Sequence, residues 1–358
     1  MIFIGVDVHV RNSYLHVSDE TGQRLAHGRV GNTLGEFAQF LGPFEGRGPI
    51  VASMESTTNS RAVVRLLERY GHEAGVDLTA RVLDARRLRV IAESVCKNDQ
   101  VDAAVLNELT RSGLKLPTCY VPDDEVFALR EHLRARSDLV RMRTMVKNRV
   151  HAVLHRRGVI TPAKLDLFTK AGRAYLQAVE LDPAGRAILD RYLGTFDAIQ
   201  AVIKQSTDDL KELSRQDRWC KRCALLQTMP GVGLITALTI LAELGDLQRF
   251  TSRSAVANYA GLVPVVRDSN DKRYRGSITK RGSTHLRHVL TEAAWVAVGR
   301  SVKYAGVYQR ISDRKSKPIA IVAVARKMLE DAFMMIRKDQ VFREAGVERP
   351  RAASSAVG

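Results

Sequence analysis

Cysteine is scarce in this chain. Only four occur among 358 residues, and their number and spacing exclude a disulfide framework. Cys220 and Cys223 form a CKRC motif, which alone is compatible with half a zinc site or a redox pair. Neither a second CxxC nor a suitably spaced histidine pair follows it. We therefore expect free thiols on a basic helix, and a reducing, cytoplasmic compartment.

Long apolar runs are also missing. No stretch of about 20 apolar residues occurs, so we expect no segment that spans a membrane. The first residues, MIFIGVDVH, lack the basic start and the small-residue cleavage site of a signal peptide. Acidic residues are in deficit, since 39 Asp and Glu stand against 56 Lys and Arg, for a formal net charge of +17. This imbalance favours a polyanionic partner, and nucleic acid before an acidic membrane surface.

The first 120 residues alternate between strand and helix patterns. Short apolar or alternating runs predict five strands, at residues 2–8, 13–18, 25–30, 49–55 and 76–83. A helical period follows the fourth strand, and another follows the fifth. We therefore predict an α/β domain over residues 1–120, with the strand order of a ribonuclease-H-like fold.

Helical periodicity dominates after residue 120. Two long segments predict antiparallel, coiled-coil-like helices in a region spanning 121–222. Arginines are concentrated at 130–157, and they favour a side that faces phosphate over one that is merely solvated. Residues 223–340 predict a mostly α domain that ends in a helix over 317–338. The polar residues 341–358 predict a disordered tail.

A glycine-rich turn lies between two helical runs of the third region. It reads Met229-Pro230-Gly231-Val232-Gly233 and resembles the turn of a helix-hairpin-helix. Such a turn presents backbone N–H groups to a phosphate without reading the base sequence, which makes Gly231 and Gly233 candidate nucleic-acid contacts. The same residues can equally be plain punctuation between helices, and the sequence leaves both interpretations open.

Four acidic residues of the first domain form a candidate metal site. Asp7 lies within the first strand, Glu55 ends the fourth, and Asp99 and Asp102 share one face at the start of a helix. An unpaired carboxylate buried in an apolar strand costs on the order of several kcal/mol, so we expect Asp7 to have a metal ion or another cation beside it, or to lie at the edge of the domain. Such carboxylates can hold two Mg²⁺ or Mn²⁺ ions about 4 Å apart for phosphoryl transfer. Taken singly, each acid also suits an ion pair or a helix cap.

These motifs together resemble one family. GVDVH, SMES and KNDQVDA occur in the N-terminal part, and LLQTMPGVGLITA, FTSRSAVANYAGLVP and ITKRGSTHLRHVL in the C-terminal part. Their order and spacing are similar to those of the DEDD transposases of insertion sequences, which are related to the pilin-gene invertase and described as bridge-RNA-guided recombinases. The resemblance covers almost the whole chain. It implies a RuvC-like N-terminal domain whose four acids, Asp7, Glu55, Asp99 and Asp102, bind divalent metal.

The resemblance also implies a nucleophilic serine. In that family a serine shortly after an A-G-L-x-P motif attacks DNA and forms a covalent phosphoserine link. The motif here spans residues 260–264, and Ser269 stands at the corresponding place. Asn270 replaces a glycine that often follows the serine, and the usual K-x-G-N reads KRGS here. Ser277 and Ser283 therefore remain competitors for the role.

Cations crowd around Ser269 and suit phosphate contacts; they are Arg267, Lys272, Arg273, Arg275, Lys280 and Arg281. A solvated basic loop is the alternative interpretation. Because the acids and the serine lie in different predicted domains, activity should require the two domains to close, within one chain or between subunits.

The resemblance implies a set of partners. They are donor and target DNA, a structured non-coding guide RNA, and further copies of the chain in a dimer or tetramer. Two other functions fit part of the pattern. One is a metal-dependent nuclease like a Holliday-junction resolvase, in which water attacks; the other is a non-catalytic DNA- or RNA-binding protein.

Overall fold

The structure is a computed structural model that describes residues 1–85, 98–269 and 272–344, with only the backbone described at 266–269 and 272–275. It divides into two compact units, Met1–Val121 and Pro122–Gly358. The first contains a mixed α/β sheet and the second is mostly helical, as the sequence predicts. Among the described helices, none is both long and apolar enough to cross a membrane. The basic stretch at 86–94 and the tail from residue 345 lie outside the described residues.

Five strands form the sheet of the first unit, and the sequence predicts all of them. They are β1 (Ile2–Val8), β2 (Asn12–Ser18), β3 (Arg24–Gly31), β4 (Ile50–Glu55) and β5 (Leu78–Leu83), in the spatial order β3-β2-β1-β4-β5. β1, β2 and β3 pair antiparallel, whereas β1, β4 and β5 run parallel. The central position of β1 explains its apolar run, because Ile4 and Val6 are fully buried.

Three described helices complete the first unit: α1 (Leu34–Leu41), α2 (Ser60–Ala74) and α3 (Asp99–Arg111). The sequence interpretation missed α1, since eight residues give little periodicity. Its local signal is the T-x-x-E pattern of a capping box. Thr33 caps the helix by accepting a hydrogen bond from the Glu36 backbone N–H at 3.4 Å.

Helix α3 packs unusually close to β1. A Cβ added to Gly5 would lie 1.9 Å from the carbonyl oxygen of Ala103, so only glycine permits this approach. The buried Asn107 amide then joins the helix to two strands, donating to the Phe3 carbonyl at 2.7 Å and the His16 carbonyl at 3.0 Å. Because α3 runs antiparallel to β1 through these contacts, its N-terminus lies at the carboxyl end of β1.

Two long helices of the second unit form the predicted antiparallel pair. They are α4 (Asp124–His155) and α6 (Pro183–Leu213), with the shorter α5 (Lys170–Ala178) between them in the chain. Three hydrogen bonds follow the antiparallel register: Arg136–Thr207 and Arg143–Gln200 join the helices, and Arg157–Asp182 joins the residues just beyond the end of α4 and just before the start of α6. Each uses an arginine of the 130–157 stretch.

The sequence analysis expected the arginines of α4 to face phosphate, but some of them have partners within the protein instead. The buried Arg130 donates to the carbonyls of Ala242 and Glu243, at 2.8 and 3.0 Å, where another helix ends. Arg134 approaches the buried Glu243 carboxylate at 3.4 Å. These contacts account for both arginines without a nucleic acid.

The remainder of the second unit, as far as residue 344, is a helical core with one β-hairpin in the residues that the structure describes. The helices are α7 (Asp217–Gln227), α8 (Leu234–Leu244), α9 (Arg253–Tyr259), α10 (Thr284–Val298), α11 (Val302–Ser312) and α12 (Lys317–Lys338). β6 (Pro264–Ser269) pairs antiparallel with β7 (Lys272–Ile278). The sequence interpretation treated this stretch as a loop, which is wrong. Its many charged residues weaken the strand pattern.

The CKRC cysteines lie on α7, and they form no disulfide with each other. Cys223 is buried in the helical core, and burial raises the pKa of its thiol to about 11. Cys96 lies outside the described residues. A protonated, buried thiol is a poor metal ligand and a poor nucleophile, which favours a packing role.

The contact at Gly5 yields a stability prediction. Gly5→Ala should lower stability by about 1–3 kcal/mol, because the added methyl group collides with the α3 backbone. A lower urea midpoint of the full chain would show it. Gly35→Ala is the matched control, since nothing lies within 4 Å of its added Cβ, and it should raise stability by about 0.5–1 kcal/mol. Equal effects of the two substitutions would contradict the packing argument.

Candidate functional site

Three side chains converge at the carboxyl end of β1. They are Asp7, His9 and Asp99, and each offers a ligand atom within 4.8 Å of the other two. The His9 Nε2 atom lies 3.2 Å from Asp7 Oδ2 and 3.3 Å from Asp99 Oδ1. The cluster is open to solvent on one side, since the exposed fractions are 22% for Asp7, 34% for Asp99 and 46% for His9.

The backbone fixes these side chains from two directions. Asp7 lies opposite Tyr14 of β2, which in turn lies opposite Arg29 of β3, so the three residues form one row across the sheet. At the other side, Asn98 caps α3 by accepting a hydrogen bond from the Val101 N–H at 2.7 Å. Asn98 rather than Asp99 is therefore the N-cap, and the Asp99 carboxylate can face the sheet.

The ion pairs differ from one alternative that the sequence left open. Asp7 does not pair with an arginine in the described structure but approaches His9. The arginine of the site, Arg29, instead binds the second oxygen of Asp99 at 2.8 Å. Asp99 thus has one oxygen toward Arg29 and one toward His9.

The other two predicted acids lie at the edge of this cluster. Asp102 is half-buried one turn along α3, near enough for its charge to act on Asp7. Glu55 is exposed at the end of β4, one residue beyond the last registered pair between β1 and β4. Its position beside Asp7 follows from that register, since both residues come directly after Val6 and Met54. Within the described residues, neither acid belongs to the three-residue cluster.

The surroundings of the Asp7 carboxylate favour a positive charge beside it. Burial raises the pKa of the Asp7 carboxyl, and the neighbouring negative charges of Asp99 and Asp102 raise it further. His9 acts in the opposite direction but does not cancel these effects. Oxygen ligands that repel one another when ionised are the donors that divalent cations stabilise, so the residues present fit such an ion.

His9 is the member of the cluster that sequence reasoning missed. The signal was available, since Asp7 and His9 stand two apart in GVDVH, and residues at this spacing along extended backbone lie on the same face. The motif contributed to the family resemblance, but its histidine was given no chemical role.

The predicted serine lies at the tip of the β6–β7 hairpin. Ser269 is the last residue of β6 and pairs with Lys272; the two residues between the strands, and the side chains of 266–275, lie outside the description. The placement of the hydroxyl of Ser269 and of its neighbouring cations Arg267, Arg273 and Arg275 therefore remains a prediction. Lys280 and Arg281, just after β7, are exposed.

The base of this hairpin is tightly held. Gly261 has a φ of +69°, which suits glycine, and a Cβ at Gly282 would lie 2.1 Å from the Tyr259 carbonyl oxygen. Arg287 donates to the carbonyl oxygens of Ala260 and Gly282, both at 3.0 Å. These contacts give the A-G-L-x-P and KRGS motifs a structural reason, because both clamp the hairpin between α9 and α10.

The two competing serines, Ser277 and Ser283, differ in their exposure and hydrogen bonding. Ser277 is exposed on β7. Ser283 caps α10, and its Oγ accepts a hydrogen bond from the Leu286 N–H at 3.1 Å. A capping hydroxyl contributes about 1 kcal/mol to helix stability. This contribution explains the presence of a serine at position 283 without a catalytic role.

The two glycines of the predicted helix-hairpin-helix turn differ in how closely other atoms pack around them. Gly231 has a φ of +83°, and a Cβ there would lie 2.3 Å from the Ala293 carbonyl oxygen of α10. Packing therefore explains Gly231. Gly233 is the N-cap residue of α8 and has open space around its Cβ position. Phosphate contact at either glycine stays a prediction.

Comparison with protein families decides the class. Residues 4–157 match a transposase family of the DEDD IS110 type, and residues 223–309 match the transposase IS116/IS110/IS902 family. The chain belongs to this transposase family. Its members cut and rejoin DNA, so the chain is an insertion-sequence transposase in class, and the family resemblance inferred from the sequence is confirmed.

Individual relatives agree with the family. The transposase for insertion sequence element IS1328 of Yersinia enterocolitica is 26% identical over 345 residues, covering 95% of this chain and 98% of the relative. The transposase for IS1111A of Coxiella burnetii is 24% identical over 277 residues, or 75% of this chain and 74% of the relative. The pilin gene-inverting protein of Moraxella bovis is 33% identical over 124 residues, or 34% of this chain and 38% of the relative.

The raised pKa of Asp7 predicts a trade-off between stability and metal binding. A carboxyl whose folded pKa is raised favours the fold below its ordinary pKa and loses that contribution as the pH rises through the folded value. Asp7→Asn should therefore raise the Tm of the chelator-treated protein at pH 7, and this gain should disappear in acid. Added divalent cation should stabilise the wild type but not the variant.

Asp19→Asn is the control for this experiment. Hydrogen bonding from Thr21 lowers the pKa of Asp19, so the same substitution should lower the Tm there. If Asp7→Asn destabilised the metal-free protein as Asp19→Asn does, the electrostatic account of the site would be wrong.

Proposed function

We propose that this transposase cuts and rejoins DNA through a covalent phosphoserine intermediate formed by Ser269, with divalent ions, Mg²⁺ or Mn²⁺, held by Asp7, Glu55, Asp99 and Asp102. The N-terminal unit would then be RuvC-like. Its strand order, with an antiparallel hairpin beside a parallel trio, is compatible with a ribonuclease-H-like fold. The family match supports the class of enzyme, and the arrangement of the acidic residues supports the proposed chemistry.

One observation carries the proposal: the convergence of Asp7 and Asp99 at the edge where β1 and β4 end. Asp102 adds negative charge there, and Glu55 occupies the neighbouring strand end. Phosphoryl-transfer sites need several hard oxygen ligands at one point, and ordinary helix capping does not explain these carboxylates.

The proposed chemistry is a transesterification. The Ser269 oxygen forms a bond to the scissile phosphorus while one phosphorus–oxygen bond of the DNA breaks, and the serine proton passes to the leaving hydroxyl. The hydroxyl of another DNA end then attacks the phosphoserine and releases the serine. Because each step exchanges one ester for another, rejoining needs no nucleoside triphosphate.

The protein's own groups would support this exchange at defined places. Lys280 and Arg281 are exposed beside the hairpin and suit phosphate contacts, together with the predicted contacts Arg267, Lys272, Arg273 and Arg275. A divalent ion bound by the acids would offset the negative charge of the phosphate and lower the cost of deprotonating the serine. The clamped hairpin base would limit the movement of Ser269.

An adduct experiment tests the nucleophile. The wild-type protein should form a covalent protein–DNA adduct with element-end DNA, visible after denaturation, and Ser269→Ala should abolish it. Ser277→Ala is the matched control, since this serine is exposed in the same hairpin, and it should leave the adduct intact.

The outcomes separate the alternatives. Cleavage by Ser269→Ala without any adduct would indicate a nuclease in which water attacks, as in a junction resolvase. An adduct that persisted in Ser269→Ala but not in Ser277→Ala would move the nucleophile. Binding without cleavage by the wild type, unchanged in Asp7→Asn, would leave a non-catalytic binding protein.

We further propose that a structured non-coding RNA guides the reaction. The net charge of +17 supports a partner with many phosphates, although charge alone does not separate RNA from DNA. A homodimer or homotetramer is expected on the nucleic acid, because strand exchange needs several active sites.

Identifying the RNA that co-purifies with the protein tests whether an RNA guides the reaction. Protein purified from cells that carry the whole element should retain one RNA species of the element, resistant to DNase. Sequencing the retained RNA is the measurement, and protein expressed without the element is the control. Recovery of mixed cellular RNA in both preparations would contradict guidance.

A further inference from the structure

We propose that His9 is a nitrogen ligand to the divalent ion held by Asp7 and Asp99, and that this donor makes the site favour a first-row transition ion such as Mn²⁺ over Mg²⁺. The inference rests on the proposed metal role of the two aspartates, and it adds a residue outside the acidic set.

The spacing of the three side chains is that of neighbouring ligands. Adjacent ligands of an octahedral ion with bonds of about 2.1–2.2 Å stand about 3 Å apart. The His9 nitrogen lies 3.2 and 3.3 Å from one oxygen of each aspartate, and all three ligand atoms lie within 4.8 Å of each other. A shared ion therefore requires little movement.

A hydrogen bond explains this geometry less well. The Nε2 atom carries at most one proton, which can point at only one of the two oxygens. The 3.2 Å distance to Asp7 is at the upper end of the range for an N–H···O bond and the 3.3 Å distance to Asp99 is just beyond it, so the two carboxylates are held at nearly equal distances. An imidazolium that serves as a counter-ion to both carboxylates is the alternative that the experiment must exclude.

The backbone holds His9 in place. Its N–H donates to the Asn12 carbonyl at 3.0 Å, across the turn between β1 and β2. Its carbonyl accepts from the Asn32 side chain at 2.9 Å, and Asn32 is in turn bound by Ser13 at 2.7 Å. A ligand on a fixed backbone loses little entropy when it binds an ion.

The donor set determines which ion is preferred. Mg²⁺ is bound mainly through oxygen atoms and gives up its water reluctantly. First-row transition ions bind imidazole nitrogen readily. Mn²⁺ binds most weakly of that series, so the other transition ions should be preferred over Mg²⁺ at least as strongly as Mn²⁺ is. Arg29 occupies the second oxygen of Asp99, which leaves Asp99 as a single-oxygen ligand.

Mn²⁺ is the probe for the experiment, used with the full chain. Pulsed electron paramagnetic resonance of bound Mn²⁺ should show coupling to a directly bound ¹⁴N nucleus, replaced by a ¹⁵N signal when histidine is labelled. His9→Asn should abolish the coupling and reduce the preference for Mn²⁺ over Mg²⁺ about ten-fold or more. His27→Asn is the control, because His27 contacts Tyr14 rather than the aspartates, and it should change neither.

The outcomes separate this inference from the proposed function. If Mn²⁺ binds and is lost in Asp7→Asn, but no nitrogen coupling appears, His9 is only a counter-ion and the aspartate site stands. If Asp7→Asn binds Mn²⁺ as tightly as the wild type, the metal site itself is wrong. Binding of neither ion at millimolar concentration would overturn both.

Discussion

The close approach of α3 to β1 is the constraint on which the candidate site depends. Gly5 permits the helix backbone to touch the strand, and Asn107 fixes its register with hydrogen bonds to two strands. This contact brings the N-terminus of α3 to the carboxyl end of β1, which places Asp99 beside Asp7. Two residues that carry no chemistry therefore determine whether the acids meet. A displacement of about one ångström at Gly5 would be felt directly at the ligand atoms.

The site conflicts with the stability of the domain that carries it. Negative charge on the partly buried Asp7 is unfavourable without a cation, as the raised pKa of this carboxyl indicates. Arg29 and His9 supply positive or polar partners at Asp99 and Asp7, but they leave the cluster open on one side. A domain that accepts this cost gains a place where a divalent ion and a phosphate can approach together.

The sequence predicted the five strands, the two long helices and the family, because periodicity and ordered motifs carry that information directly. It missed α1, whose eight residues show little period, and it read the β6–β7 hairpin as a loop because charged residues interrupt the strand pattern. It placed Asp7 and Asp99 in one site from the predicted strand order, and the resemblance implied the same set. It gave His9 no role, although the spacing in GVDVH puts His9 on the same face as Asp7; the proximity of His9 to Asp99 depends on how α3 packs against the sheet. Arg130 shows the opposite error, a basic residue whose partners are helix-end carbonyls rather than phosphates.

The central claim is that the carboxyl end of β1 and the start of α3 form a divalent-metal site. Anomalous X-ray scattering from crystals grown with Mn²⁺ tests it most directly, because the signal locates the ion independently of any activity. The account predicts a peak within about 2.5 Å of oxygen atoms from both Asp7 and Asp99, absent in Asp7→Asn crystals. Mn²⁺ peaks found elsewhere on the chain, with none between these two aspartates, would contradict it.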